Sequence, residues 1–448
     1  MSYKHELKKL VTLAWPLLIA QVTQILMGVS DTIMAGRYSS EDMAAVAIGF
    51  SITMPVLFFI QGIVLALPPI ISRLNGARQF AEVAKASQQC LWLALCFAIP
   101  AAAFSLLIPD LFNMLPMEQA LRAITVDYVC YILLGAPFFT LYQFLRNYCE
   151  GLSVPKPSMT IMVLGLVVNI PANYILIYGK LGLPEFGGAG CGIATSLVFV
   201  IMCIATWLYT LKAEKLKRYH LYAQLHKPDF RQMWATLKLG FPIAMTLLFE
   251  VTLFGVVALL LSPFGATMVA AHQIALNFSA LMFMFPLSIG MAASIRVGHL
   301  LGENKPEQAK MAVVGGLALG LAIACFTATM TVVERTYISA LYSIDPQVIE
   351  LAASLMLLAA MFQFSDAIQV ISACSLRGYK DTSAMFYITF VAYWLIGLPI
   401  GCVLALTDWL VPQLYAAGFW IGFICGLSSA ALMLGMRLIV IQHRQQQV

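Results

Sequence analysis

Charge is what this chain has least of. Asp, Glu, Lys and Arg make up 10% of its 448 residues, while 61% are hydrophobic. A soluble domain carries about 25% charge and roughly half apolar residues. No soluble core absorbs this much apolar sequence, and a disordered chain would be far more polar. Cysteine is also sparse: ten residues, mostly inside apolar runs and without a paired C-x-x-C, which excludes a secreted disulfide scaffold and a zinc module. The six histidines are scattered and form no H-E-x-x-H. There is no G-x-x-x-x-G-K-[ST] phosphate loop and no G-x-S-x-G nucleophile elbow. Gly187-Gly188-Ala189-Gly190 follows no strand and reads as a loop leading into a helix, not as a dinucleotide fingerprint. These absences point away from an enzyme and from any bound cofactor, and towards transport driven by an ion gradient.

What is present is a series of long apolar runs. Twelve are long enough to cross about 30 Å of hydrocarbon, at roughly 11–34, 44–71, 88–108, 124–145, 158–178, 188–211, 236–261, 267–293, 312–333, 350–375, 384–405 and 414–436. They are continuous, not alternating over about ten residues, so they spell helices and not a membrane barrel. The first run follows Lys4, Lys8 and Lys9 but outlasts a signal peptide, and is read as a retained helix. The expected fold is therefore an all-α polytopic membrane protein of twelve transmembrane helices. Of the 26 Lys and Arg, only Arg37, Arg122, Lys180 and Arg335 follow odd-numbered runs. That asymmetry predicts both termini in the cytoplasm. The net charge of +5 is then a topology signal and no nucleic-acid footprint. The basic loop carrying Lys212, Lys215, Lys217 and Arg218 reads as a lipid-facing anchor.

That loop separates two similar halves. An offset of 226 carries Pro16 onto Pro242, Gln24 onto Glu250, Ala44-Ala45 onto Ala270-Ala271, Ala66 onto Ala292 and Gly76 onto Gly302. Later, Leu145-Arg146-Asn147-Tyr148 matches Leu376-Arg377-Gly378-Tyr379 at 231, placing Asp366 opposite Gly135; Pro171 matches Pro399 at 228. The expected organisation is an N-terminal six-helix lobe (1–211), a basic cytoplasmic linker (212–235) and a C-terminal six-helix lobe (236–448). The repeats are parallel, because six is even. Two such lobes suit alternating access.

Three acids fall inside the runs: Asp31, Glu250 and Asp366. A carboxylate at bilayer depth costs at least about 2.5–3.5 kcal/mol, so such residues face an interior and serve a function. Neither Glu250 nor Asp366 has a Lys or Arg nearby in its own span, so these acids are expected to hold a proton, a metal cation or a cationic substrate in an electronegative cleft. For Asp31 a helix-end cap is the competing reading. Asn169 and Asn173 lie four apart on one helical face beside Pro171, and their amide oxygens suit Na⁺ or a carboxylate partner. Thr195 could join them. His272 and Gln273 are polar residues in an apolar span. Met and Phe, at 23 and 27 residues, supply packing and lipid-facing surface, and some could line an adaptable cleft.

The stretches Trp15-Pro16 to Asp31-Thr32, Val168-Asn169-Ile170-Pro171-Ala172-Asn173-Tyr174, Ala271-His272-Gln273 and Leu376-Arg377-Gly378-Tyr379-Lys380-Asp381 resemble the multidrug and toxic compound extrusion (MATE) transporters, most of all their bacterial NorM-type branch. The resemblance spans essentially the whole chain. It implies efflux of cationic amphipathic drugs and dyes in exchange for Na⁺ or H⁺, with Na⁺ favoured, across the bacterial inner membrane. Lipid surrounds the chain and no obligate protein partner is implied. By the same resemblance, Glu250 and Asp366 are the cation-coupling acids and candidate Na⁺ ligands of the second half. Asp31, Asn169, Asn173 and Thr195 form a polar site in the first, and helices one and five become neighbours. Gln273 corresponds to a cleft residue near drug. Asp345 lies where some relatives carry paired acids at the cleft mouth, although its neighbour here is Ile344. The rival readings are a lipid-linked oligosaccharide flippase of the same broad superfamily, which would favour a cationic cavity, an intramembrane enzyme, and an uptake carrier.

Overall fold

The structure, a computed structural model, describes residues 3–114 and 116–446. The described residues form helices and connecting turns, with no strand. Among the described residues, twelve helices are long and apolar enough to span a bilayer: α1 (Lys4–Tyr38), α2 (Ser40–Gly76), α3 (Phe80–Asn113), α4 (Gln119–Gly151), α5 (Lys156–Tyr178), α6 (Gly188–Lys212), α7 (Phe230–Phe264), α8 (Ala266–Gly302), α9 (Pro306–Tyr342), α10 (Pro346–Gly378), α11 (Thr382–Leu406) and α12 (Ala416–Gln445). Most overrun the apolar runs. The 37 residues of α8 extend about 55 Å at 1.5 Å per residue, so a polar last turn with Arg296 and His299 continues the helix beyond its apolar stretch. Asp31 lies two turns inside α1, not at its end.

The chain makes two compact units, and these divide it elsewhere than the expected lobes. The N-unit is Ile19–Ala244; the C-unit is Met1–Leu18 together with Met245–Val448. Both divisions fall within a continuous helix, two residues after Pro16 and Pro242, and they obey the repeat offset of 226. Packing gives the reason. Leu10, Leu13 and Leu17 are buried against Ile289, Ala292, Ala293, Val370 and Ile371, and Arg296 donates from Nε and Nη2 to both oxygens of Glu6 at 2.8 and 2.9 Å. The opening turns of α1 therefore belong to the C-unit. In the N-unit, the start of α7 lies against α2, where backbones touch. A Cβ on Gly240 would sit 2.8 Å from the Ile63 carbonyl oxygen, and one on Gly62 would collide with the Ala244 backbone. Gly62→Ala is expected to cost about 1–3 kcal/mol of stability as an overpacking change; a thermal midpoint in detergent equal to that of the wild type would contradict this contact.

The N-unit core is built from Tyr128, Ile132 and Phe139 of α4 against Val198, Phe199 and Met202 of α6, with Leu57 and Ile161 closing it. The Phe139 and Phe199 rings lie 5.0 Å apart. The expected linker is not a free tether. Gln88 donates to the carbonyls of Leu221 and Gln224 at 2.8 Å, Gln89 to that of Lys227 at 2.9 Å, and Trp92 to that of His226 at 3.1 Å. Tyr219 donates to Asn75 at 2.7 Å, and burial raises the Tyr219 phenol above its ordinary range. In the C-unit, α11 and α12 approach through glycine. A Cβ on Gly422 would lie 2.6 Å from the Gly397 oxygen. Gly418, Gly422 and Gly426 form a small-residue stripe of the kind that lets membrane helices touch. Beside it, Val391–Gly397 of α11 winds into a π turn.

The structure also corrects the repeat. Helix α4 ends in a turn with Ser153 at φ +63°, Ser153 N–H to Glu150 O and Val154 N–H to Cys149 O, both 2.9 Å. Helix α10 ends identically with Lys380 at φ +63°, Lys380 N–H to Arg377 O and Asp381 N–H to Leu376 O, both 2.9 Å. The equivalence there is 227, not 231. The four-residue error is about one helical turn, a slip that keeps the same face and so imitates a match. Arg377 thus stands opposite Glu150, and Asp366 opposite Phe139 rather than Gly135.

Candidate functional site

Asp31 reaches the N-unit interior from α1. The Asn169 and Asn173 amides of α5 donate to its Oδ1 at 3.0 and 2.6 Å, and Thr195 of α6 donates to Oδ2 at 3.1 Å. Three helices thus converge on one carboxylate. The i,i+4 spacing aims both amides the same way. Both asparagines are fully buried. Their nitrogens are committed to Asp31, which leaves the two Oδ1 atoms without a partner. The cluster therefore presents a carboxylate and two spare amide oxygens, an all-oxygen set suited to a hard cation. The structure brings together all four residues read from the sequence for this site.

In the C-unit, Glu250 enters from α7 and Asp366 from α10. Asp366 is buried and Glu250 half-buried. Neither carboxylate accepts a hydrogen bond among the described residues, and each lies within electrostatic reach of other groups: Asp366 feels Glu250, and Glu250 feels Arg377. Tyr393, buried in the π turn of α11, lies in the field of both acids. The sequence reading missed Tyr393, because nothing in the apolar run marks where the helix widens; π turns recur at functional sites.

Gln273 is exposed on α8 and donates to Asn277 at 3.3 Å. His272 is fully buried beside Trp420 and Phe423, with ring centroids at 6.0 and 6.5 Å, and neither ring nitrogen has a partner. Asp345 is exposed and has a local job: its Oδ1 accepts from the Gln347 N–H at 2.9 Å and caps α10. Among the described residues, no three His, Cys, Asp or Glu gather into a metal cluster.

One expectation is corrected outright. Bases are buried: Arg146, Arg296 and Arg377 are 2%, 9% and 8% exposed. Arg146 donates to Glu150 at 2.8 Å and Arg296 is forked onto Glu6. Among the described residues Arg377 sits in no ion pair and its Nε has no hydrogen-bond partner, and its charge acts on Glu250. These arginines lie where the helices outrun their apolar runs, so composition windows put them outside. Two of the three are neutralised by acids equally hidden from the sequence.

Comparison with known proteins follows the same lines. A family model described as MatE matches residues 16–175 and 242–403. The probable multidrug resistance protein NorM of Shewanella oneidensis is 50% identical over 438 residues, covering 98% of this chain and 95% of that protein. The multidrug resistance protein MdtK of Pectobacterium atrosepticum is 48% identical over 444 residues, covering 99% and 97%. Among solved structures, the eukaryotic MATE transporter AtDTX14 superposes with a TM-score of 0.89 at 21% identity over 99% of this chain and 98% of its own. An outward-facing multidrug resistance MATE family transporter of the MOP superfamily gives 0.90 at 19%, over 99% and 97%. At that identity the structural likeness carries the fold alone.

Proposed function

The chain belongs to the MatE family, and we propose that it is a multidrug efflux antiporter exchanging cationic amphipathic drugs and dyes for Na⁺. It sits in the bacterial inner membrane with both termini in the cytoplasm, the orientation that the Lys and Arg asymmetry favours. The family is one of transporters, not enzymes. The observation that carries the cation part is the pair of carboxylates in the C-unit, Glu250 and Asp366, which share an electrostatic environment without a hydrogen bond to either among the described residues. Two such acids repel, and a bound cation relieves the repulsion. A cationic drug competes for the same charge. Occupancy by ion in one state and drug in the other biases the two conformations of an alternating-access cycle. The Asp31 cluster offers a second polar site of the same donor chemistry, while Gln273 and Asp345 are candidate contacts for drug.

The test is transport in liposomes of purified protein, with sodium and pH gradients imposed separately and an ethidium-like dye as cargo. An imposed sodium gradient is expected to drive dye movement, and a neutral or anionic analogue to move at least about tenfold more slowly, since a buried acid discriminates by charge. Dye movement driven by a pH gradient in sodium-free buffer would overturn the sodium preference. Equal rates for cationic and anionic cargo would overturn the substrate class.

A further inference from the structure

A chain of hydrogen bonds beside Asp366 fixes the direction of one amide. Gln363 stands three residues before Asp366, on the same face of α10. Its Nε2 donates to Thr331 Oγ1 of α9 at 3.0 Å, and Thr331 donates its own proton to the Thr327 carbonyl at 2.7 Å. A hydroxyl has one proton to give. With that proton committed to a carbonyl, which can only accept, Thr331 must be the acceptor for Gln363. The amide nitrogen therefore faces Thr331, and the oxygen faces away. The two ends of an amide are otherwise interchangeable; here the neighbours settle which is which.

The freed oxygen has no donor. Gln363, Thr331 and Asp366 are 5%, 0% and 3% exposed, and Gln363 Oε1 is enclosed without a partner. Gln363, Asp366 and Thr327 line one small cavity between α8, α9 and α10, whose other walls include Met282 and Ile323. Thr327 donates its proton to the Ala324 carbonyl at 3.3 Å, so its lone pairs are its remaining capacity. The residues lining the cavity thus bring a carboxylate, an amide whose oxygen has no partner and a hydroxyl whose proton is given elsewhere. Acceptors converging in a buried interior call for a positive partner.

We propose that Gln363 Oε1, held in orientation by Thr331, is a ligand for the coupling sodium ion bound at Asp366, with Thr327 Oγ1 completing the same side of the site from α9. This rests on the reading of Asp366 as a coupling carboxylate and adds to it a ligand set drawn from α9 and α10. The role of Thr331 is positioning: it touches no ion and acts by keeping the amide oxygen turned towards the cavity.

The experiment is calorimetric titration of detergent-purified full-length protein with NaCl, against choline chloride at equal ionic strength. Asp366→Asn tests the underlying reading, and Gln363→Leu, Thr331→Val and Thr331→Ser test the assignment. With Asp31→Asn as the common background, so that only the C-unit site is titrated, sodium binding is expected to be lost in Asp366→Asn and to weaken about tenfold in Gln363→Leu, the loss of one good ligand contact. Thr331→Val is expected to weaken binding about threefold or more by releasing the amide, and Thr331→Ser to restore it, since serine keeps the hydroxyl. Thr331→Val decides the matter if Gln363→Leu does not fold, because it leaves the ligand in place. If Asp366→Asn loses sodium while Gln363→Leu or Thr331→Val binds it like the wild type, the assignment is overturned and the Asp366 reading stands. If the wild type binds no sodium, or Asp366→Asn binds it normally, the reading itself is overturned.

Discussion

Asp366→Asn and Glu250→Gln are each expected to reduce gradient-driven dye efflux to the background of empty liposomes, while the protein still inserts and purifies as the wild type does. Each change is nearly isosteric, so packing around α7 and α10 survives. What disappears is one of two negative charges in a setting where no carboxylate is tied down by a hydrogen bond. Structural acids in this protein look different. Glu6 is gripped by both nitrogens of an arginine fork, and Asp381 accepts from Arg437 at 2.7 Å. An acid left uncommitted at bilayer depth is retained at a cost of at least about 2.5–3.5 kcal/mol, and an exchange of partners there is what the proposed antiport requires. Efflux at wild-type rate in either variant would remove that carboxylate from the mechanism.

The second large effect concerns the buried pair in α4. Arg146 and Glu150 are 2% and 1% exposed, their contact is 2.8 Å, and Arg146 also donates to Gln21 of α1 at 2.9 Å. Arg146→Leu strands a buried carboxylate and is expected to destabilise the protein by about 3–5 kcal/mol, whereas replacing both partners with leucine is expected to recover most of that loss. Thermal and denaturant unfolding in detergent read the difference. A double variant no more stable than Arg146→Leu alone would show that the ion pair is not what the arginine is there for.

The architecture was legible because hydrophobic runs of about 20 residues have few alternatives in a bilayer. Their true ends were not, since a helix continues past its apolar stretch wherever side chains find partners. The Asp31 site was legible for a local reason: Asn169 and Asn173 carry their shared direction in their spacing. Gln363 was invisible because its meaning depends on Thr331, 32 residues earlier in the chain, and on which end of an amide points where. The buried arginines were missed for the same reason at longer range. Arg296 and Glu6 are 290 positions apart, and no window of sequence holds both. The repeat was found at the right places and slipped where a one-turn error preserves the helical face. Only the backbone turn at Ser153 and Lys380 could reveal that.

The assignment of residues 1–18 to the C-unit has a consequence in time. These residues leave the ribosome well before the side chains that bury them: Arg296 follows Glu6 by 290 positions. At about 5–20 residues per second, the wait is on the order of 15–60 seconds. Through that interval Glu6 lacks the Arg296 guanidinium, and Leu10, Leu13 and Leu17 lack the α8 and α10 side chains that bury them. The opening turns of α1 thus wait for a partner from the other half of the sequence, and a delay in the insertion of α8 prolongs that wait.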